Sequence, residues 1–348
     1  MHGLDRMKGI AGACTVALSV IITAPSASTQ TRLRVANWLP AQHPLFAEVI
    51  KPWTEQVTKA TNGRVVMDVI TAPLGPPAAH FDFAVNGVAD VTFGVHNYTP
   101  GRFTTTLLAE LPFQCEKAEY LSVAYWRIHQ RYLAKADQHR GTKLLTVFTH
   151  GPGQLWVRGR SLTSMDSIKG AKIRIGGGFA QEAAKALGVV PIQAPVTQAY
   201  EVLAGGAADG IEFPAESITA FKIDKVLDQG LIVPGGLYTV SFFVVMNEAK
   251  WNSLAKEDQD AILSVSGESL ARIAGKVWDK ADAAALDTIK QEGRITLAVP
   301  DKDQMAAIQA ALEPHVTSTL KQIAAKGVDA EAGYQSLQRE IAAIKDGN

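Results

Sequence analysis

The segment KIRIGGG at residues 172–178 decides the fold class of this chain. Ile173 and Ile175 flank Arg174, which predicts a strand with the isoleucines on one face and the arginine on the other. Three glycines end that strand. A helical pattern follows over 179–187 and stops at Gly188. Strand, glycine turn and helix together predict one unit of an α/β fold, in which ligands bind beyond the carboxyl ends of the strands.

Strands and helices continue to alternate on both sides of this segment. Downstream, the patterns predict a strand at 189–192, a helix at 196–203, a strand at 210–213 and then a long apolar strand at 239–246. Upstream, they predict strands at 33–37, 64–70 and 91–95, with helices at 46–57 and 77–86. This order favours two α/β units, each built on a parallel sheet.

Glycine- and proline-rich breaks divide the chain at 149–153 and 233–236, and we expect a hinge there. From Glu257 to about Gln291 the chain is rich in alanine, which predicts one helix of roughly 50 Å that braces both units. Two more helices, at 302–326 and 330–345, complete the chain.

The predicted domains follow from these breaks. We assign 29–151 plus about 240–280 to domain I, and 152–239 plus about 281–348 to domain II.

Composition and the amino terminus indicate an exported globular protein. Lys+Arg and Asp+Glu are both 34, so no basic surplus favours nucleic acid. Arg6 and Lys8 precede an apolar run at 10–23 and then small residues, which predicts a signal peptide at 1–28. The run is shorter than the ~20 residues of a spanning helix. We therefore expect a periplasmic protein whose mature chain does not insert into the membrane.

Signals for catalysis or cofactors are weak. The eight histidines are all more than five positions apart, and there is no Gly-x-Ser-x-Gly elbow. The glycines at 176–178 resemble a phosphate loop, but Gln181 occupies the third glycine position of a dinucleotide motif. A tight turn close to a small ligand explains them more simply. We expect a protein that is not an enzyme and carries no cofactor.

Arg174 is the main candidate for ligand binding. It occupies the carboxyl end of a predicted strand beside glycines, where open α/β sheets bind ligands. A planar guanidinium offers two parallel N–H donors that match a carboxylate. The pattern therefore predicts an anion site.

Several segments together resemble the solute receptors of tripartite ATP-independent periplasmic (TRAP) transporters, in particular those for four-carbon dicarboxylates. These segments are GVADV at 87–91, LPF at 111–113, GQLW at 153–156, IKGAKIRI at 168–175, AADGIEFP at 207–214 and NEAKWNSL at 247–254. The resemblance implies a type II-like, two-domain periplasmic binding fold with crossing strands and a long bracing helix. It also implies that Arg174 pairs with a carboxylate, and that the partners are a small and a large membrane subunit.

Departures from the family pattern narrow the ligand. Gln154 and Phe213 replace a second arginine and an asparagine of the dicarboxylate and sialic acid receptors. A second carboxylate would then be buried without a charged partner, so we expect a monocarboxylate that Gln154 helps to orient. Gln154 and Glu212 also match a branch that binds 2-oxo and 2-hydroxy acids beside a cation. By this resemblance Gln154 and Glu212 are the candidate metal ligands of this chain. Tyr238 replaces a further acidic residue of that branch, so we expect no resident cation.

Aromatic side chains near these segments predict an apolar or aromatic ligand body. They are Trp38, Tyr98, Trp156, Phe179, Phe213 and Tyr238. The combined prediction is a TRAP receptor that captures a small organic acid in the interdomain cleft. A dicarboxylate receptor, a receptor of an ATP-driven importer and a secreted enzyme stay open as alternatives.

Overall fold

The computed structural model describes residues 30–347, so the predicted signal peptide at 1–28 lies outside the described residues. The chain folds into two β-sheets surrounded by helices. The strands are β1 (Thr31–Ala36), β2 (Val65–Ile70), β3 (Val91–Val95), β4 (Thr142–Thr149), β5 (Gln154–Val157), β6 (Lys172–Ile175), β7 (Val190–Gln193), β8 (Gly210–Phe213), β9 (Gln229–Leu231), β10 (Ser241–Asn247) and β11 (Thr296–Ala298).

The α-helices cover the faces of these sheets. They are α1 (Lys51–Ala60), α2 (His80–Val85), α3 (Ala118–Ile128), α4 (Phe179–Ala186), α5 (Ala199–Ala204), α6 (Ala215–Ala220), α7 (Glu248–Asn252), α8 (Lys256–Ser264), α9 (Gly267–Glu292), α10 (Lys302–Ala324) and α11 (Ala330–Lys345). Short 3₁₀ helices include His96–Tyr98 and Thr104–Glu110, and single π turns precede α1 at Leu45–Ile50 and follow α3 at His129–Leu133.

The first sheet has the strand order β2-β1-β3-β10-β4. β1 pairs in parallel with β2 and β3, as the alternation of strands and helices predicts. β10 pairs antiparallel with both β3 and β4, so the prediction of a wholly parallel sheet is wrong here. The reason is that β10 enters from the second sheet without a crossover helix, and a parallel pairing would need one.

The second sheet has the strand order β11-β9-β5-β8-β6-β7. β6 pairs in parallel with β7 and β8, as predicted. β5 pairs antiparallel with β8 and β9, because it arrives directly from β4 of the first sheet. This sheet is therefore also mixed rather than parallel.

Two chain segments cross between the sheets, at the predicted breaks. Residues 150–153 run from β4 to β5, and residues 232–240 run from β9 to β10. They pair with each other: the Gly153 N–H donates to the Tyr238 carbonyl at 2.9 Å, and the Leu237 N–H donates to the Gly153 carbonyl at 2.9 Å. A Cβ at Gly153 would lie 2.3 Å from the Tyr238 ring, so this approach requires glycine.

The helix predicted over 257–291 is interrupted, which corrects the sequence analysis. α8 ends at Ser264, and α9 begins at Gly267, whose φ of +57° favours glycine. The break is held by Ser266, whose hydroxyl accepts a hydrogen bond from the Trp53 indole N–H at 3.2 Å. α9 still spans about 39 Å at about 1.5 Å per residue. It packs on α3 and β4 beside the first sheet and on α6 beside the second, as a brace would.

The carboxyl-terminal helices touch both halves of the molecule. α10 packs on α4 and on Thr104–Glu110, whereas α11 packs on α3 beside the first sheet. The domain boundaries stay a prediction.

Candidate functional site

A cavity lies where the two sheets face each other across the crossing segments. Aromatic and aliphatic side chains make most of the wall. The lining comprises Trp38, Leu39, His43, Leu45, Val95, Tyr98, His150, Arg174, Gly176, Val196, Phe213, Pro214, Ser217, Phe221, Tyr238, Val240, Phe242 and Trp278.

Arg174 supplies the positive charge in this cavity, and its side chain is only 1% exposed. Nε donates to the Ala194 carbonyl at 2.9 Å, and Nη2 donates to the same oxygen. The guanidinium also lies over the Phe213 ring, with Cζ 4.6 Å from the ring centroid. The hydrogen bonds that hold Arg174 within residues 30–347 use Nε and Nη2 but not Nη1, and the Tyr98 hydroxyl is close enough to raise the pKa of the guanidinium. Arg174 is thus held rigidly while the two N–H groups of Nη1 stay available in a dry site.

Burial lowers the pKa of the Arg174 guanidinium, although Tyr98, Tyr238 and Glu212 oppose that shift. Removing a cation from water is costly unless an anion compensates it. A bound carboxylate would supply that compensation, so the electrostatics favour an anionic ligand here.

Tyr98 joins the two halves at the cavity wall. It ends the 3₁₀ helix beside the first sheet, and its hydroxyl oxygen accepts a hydrogen bond from the Val196 N–H at 3.0 Å. The Tyr98 O–H proton remains available to donate into the cavity. Burial raises the pKa of the neighbouring Tyr238 hydroxyl, so this phenol is neutral and can also donate.

Trp38 and Phe213 form apolar wall. The Trp38 indole N–H donates to the Phe93 carbonyl at 3.0 Å, so its polar edge is used by the protein and its ring is left for contact. Phe213 lies between the guanidinium of Arg174 and the Phe221 ring, whose centroid is 6.3 Å away. The structure therefore brings five predicted residues, Arg174, Tyr98, Phe213, Tyr238 and Trp38, into one cavity.

The other predicted site residues lie outside the cavity wall. Both ends of the Gln154 amide bond to the backbone of Val233: Nε2 donates to its carbonyl at 3.1 Å, and Oε1 accepts from its N–H at 2.7 Å. The Trp156 indole N–H donates to the Phe213 carbonyl at 2.9 Å, and a Cβ at Gly230 would lie 2.5 Å from the Trp156 ring. These side chains hold β5 against its neighbours, and one N–H of the Gln154 amide has no partner in the described hydrogen bonds.

Glu212 is buried on β8, and neither of its carboxyl oxygens has a hydrogen-bond partner among the described residues. Burial raises its pKa to about 8, against the opposing charge of Arg174. In residues 30–347, no three His, Cys, Asp or Glu side chains group in a way that would hold a metal ion. A hard cation held by Gln154 and Glu212 would need its remaining oxygen ligands from backbone carbonyls, water or the bound acid.

Phe179 lies at a contact between the two halves rather than in the cavity. Its N–H, at the start of α4, donates to Oε2 of Glu110 at 3.4 Å. Glu110 Oε1 accepts from the Ser241 N–H at 3.1 Å and from its hydroxyl at 2.7 Å. A Cβ at Gly178 would lie 2.1 Å from Oε2 of Glu110. The glycine turn thus allows α4 to dock on a carboxylate of the other half, and the sequence analysis missed Glu110.

The sequence analysis also missed His43, His150 and Trp278, which line the cavity. Nδ1 of His43 accepts the Leu45 N–H at 3.2 Å, and Nε2 lies 3.5 Å from Oε1 of Glu216. Burial lowers the pKa values of His43 and His150 to about 4, so both are neutral near pH 7. His150 lies inside the predicted break at 149–153, and this position was the one sequence feature that could have indicated a role near the hinge.

Comparison with known proteins identifies the class. Residues 35–322 match the family described as bacterial extracellular solute-binding protein, family 7. The chain belongs to this family, and it is a solute receptor of the TRAP transporter type.

Three similar proteins illustrate this relationship. A TRAP periplasmic solute-binding protein from Bordetella bronchiseptica, solved with bound (R)- and (S)-mandelate, is 38% identical; the match covers 90% of this chain and 99% of that one, with a TM-score of 0.87. A marine metagenome TRAP protein specific for aromatic acids, solved with metahydroxyphenylacetate, is 28% identical over 90% and 99%, with a TM-score of 0.83. The outer membrane transporter protein TsaT of Comamonas testosteroni is 26% identical over 95% of this chain and 97% of its own.

These matches confirm the two-domain periplasmic binding fold and the TRAP resemblance. Family and fold are those of transport proteins rather than enzymes. No helix within residues 30–347 has the length and apolar character to cross a membrane.

Proposed function

We propose that this chain binds a small monocarboxylate with an aromatic or apolar body between its two domains. The free Nη1 donor of Arg174 in an otherwise apolar cavity carries this proposal. Arg174 and the Tyr98 hydroxyl would hold the carboxylate, while Phe213, Trp38 and Tyr238 would contact the body of the ligand. An N–H donor of a charged group forms a short, strong bond to a carboxylate in such a site.

The lining argues against a dicarboxylate. Among the described residues of the wall, Arg174 is the one cationic side chain, because His43 and His150 are neutral near pH 7. A second ligand carboxylate would lose its water without gaining a charged partner, at a cost of several kcal/mol. The aromatic acids bound by the Bordetella and metagenome proteins fit the same cavity chemistry.

The cellular setting belongs to the same proposal. Residues 1–28 would direct the chain to the periplasm, and the loaded receptor would deliver its acid to a small and a large TRAP membrane subunit. Fractionation of cells that produce the full chain, together with reconstitution of uptake with and without the two subunits, tests this part. Uptake that required an ATPase instead would favour the importer alternative.

The ligand is tested by isothermal titration of the purified chain with matched acids. Benzoate, phenylacetate and mandelate represent monocarboxylates, whereas succinate and phthalate represent dicarboxylates of similar size. We expect binding of at least one aromatic monocarboxylate and none of the dicarboxylates. Tighter binding of a dicarboxylate would overturn the proposal, and turnover of any bound acid would revive the enzyme alternative.

A further inference from the structure

His150 presents an unused hydrogen-bond acceptor in the cavity wall. Its Nδ1 lies 2.5 Å from the carbonyl oxygen of Gly151. A carbonyl oxygen only accepts, so Nδ1 must carry the ring proton. Since burial lowers the pKa of His150 to about 4, the ring holds a single proton near pH 7. Nε2 is therefore a bare lone pair that accepts and does not donate.

The described protein groups do not use this lone pair. Nε2 has no hydrogen-bond partner among residues 30–347, and His150 lines the cavity. Aromatic rings surround the imidazole: its centroid is 5.7 Å from that of Tyr238, 5.8 Å from that of Trp278 and 6.3 Å from that of Phe242. An acceptor held in a fixed tautomer within an aromatic wall is unusual, because buried polar atoms normally have partners.

Some other polar atoms of the wall are already engaged, whereas the Trp278 indole N–H has no partner among the described residues. Nδ1 of His43 takes the Leu45 N–H at 3.2 Å, and the Ser217 hydroxyl donates to Glu216 at 2.8 Å. The Tyr98 oxygen accepts from Val196, which leaves that hydroxyl as a donor. The cavity thus combines donors suited to a carboxylate with a separate acceptor suited to a hydroxyl.

We propose that Nε2 of His150 accepts a hydrogen bond from a hydroxyl group of the ligand, so that the receptor selects hydroxylated aromatic monocarboxylates over their unsubstituted parents. This inference rests on the proposed function, since Arg174 must hold the carboxylate of the same molecule. The hydroxyl lies either on the carbon next to the carboxylate or on the ring.

The expected discrimination follows from desolvation. A ligand without a hydroxyl covers Nε2 of His150 and leaves it unpaired, whereas a hydroxylated ligand replaces the lost water. An unpaired buried acceptor weakens binding by about tenfold to a hundredfold. A single oxygen atom on the ligand should therefore have a large effect.

The test compares phenylacetate with mandelate and with the 2-, 3- and 4-hydroxyphenylacetates by calorimetry on the wild-type protein. At least one hydroxylated acid should bind ten times more tightly than phenylacetate or better. H150N should abolish this preference, because an Asn amide reaches the Gly151 carbonyl but not the Nε2 position. H150Q, whose amide oxygen reaches that position, should restore part of it. H315N, at a histidine of α10 that does not line the cavity, serves as a matched control and should keep the preference.

A second measurement does not depend on a variant. The ¹⁵N resonance of unprotonated Nε2 in the wild-type protein should move upfield when the preferred hydroxylated acid binds, and it should not do so with phenylacetate. An unmoved resonance, or a preference that survives H150N, overturns the inference. If phenylacetate binds as tightly as every hydroxylated acid, only the inference fails. If none of these acids binds, the proposed function fails and the inference with it.

Discussion

Arg174 and Glu110 are both buried ionisable side chains near the contact between the two halves, but their hydrogen bonds differ. Glu110 accepts three hydrogen bonds, two from Ser241 of its own half and one from Phe179 of the other half. Arg174 is held by Ala194 yet keeps Nη1 free toward the cavity. A charged group whose bonding capacity is used by the protein stabilises the structure, whereas one with an unused donor is set for a ligand.

Replacing Arg174 should have the largest effect on binding. R174M removes the charge but keeps an unbranched side chain, so affinity for an aromatic acid should fall by about 2–5 kcal/mol. Stability of the ligand-free protein should not fall by a comparable amount, because an uncompensated buried cation is itself costly. Calorimetry and denaturant unfolding of the same variant check both parts. A large loss of stability with unchanged binding would show that Arg174 is a structural residue rather than a ligand-binding one.

The contact at Glu110 should show the opposite response. In G178A the added Cβ would lie 2.1 Å from Oε2 of Glu110, which is far too close, and residue 178 has a φ of +65°. We expect a loss of roughly 1–3 kcal/mol in unfolding free energy, from strain at that φ and from displacement of the carboxylate. Denaturant unfolding measures it. Gly170 has a φ of +72° with nothing within 4 Å of an added Cβ, so G170A measures the strain of a positive φ without a steric contact, whereas Gly178 also has a ψ of −144°.

The pH dependence of stability distinguishes buried carboxyls from buried imidazoles. Burial raises the pKa of Glu110 and Asp282 to about 7, and of Glu212 and Glu216 to about 8. The folded state therefore holds protons that the unfolded state has released, and stability should fall as pH rises from 6.5 to 8. The slope is on the order of 1.4 kcal/mol per pH unit for each proton held.

Histidines dominate at lower pH. Burial lowers the pKa values of six of them, so below about pH 6.5 the unfolded state gains up to six protons, which outweighs the four that the buried carboxyls hold in the folded state, and stability falls. Unfolding free energies at pH 5.5, 6.5, 7.25 and 8 should thus pass through a maximum near pH 6.5. E110Q should flatten the upper limb; an unchanged limb would show that Glu110 does not take up a proton there.

Tyr98 should give the smallest effect. Y98F removes one hydroxyl that accepts from Val196 and is free to donate to a carboxylate. Binding should weaken by about 0.5–1.5 kcal/mol, the net value of a typical hydrogen bond. Calorimetry with the acid used for Arg174 measures this loss. A loss as large as that of R174M would show that the carboxylate lies at Tyr98 instead.

Local sequence patterns predict much of the fold. Alternation and glycine turns predict β1, β2, β3, β6, β7 and β8, and the two breaks predict the crossing segments. No helix or strand was predicted within residues 99–148, although they contain α3 and most of β4. The break at Ser266 and Gly267 was missed because alanine-rich sequence on both sides hides a single left-handed glycine.

The site was predicted less completely for a physical reason. Arg174 could be found because a charge at a strand end beside glycines is a local signal. Gln154 was assigned to the ligand by family position, and its two hydrogen bonds to the Val233 backbone could not be predicted from the sequence. Glu110 and His150 act through partners or surroundings distant in sequence, such as Phe179 and Trp278, and no pattern along the chain shows those contacts.

A crystal structure of the complex with the tightest-binding aromatic acid would show whether Arg174 holds the ligand carboxylate. We expect a carboxylate oxygen about 3 Å from Nη1 of Arg174, with the aromatic body against Phe213 and Trp38. A carboxylate bound elsewhere, with Nη1 of Arg174 left unpaired beside the ligand, would contradict it.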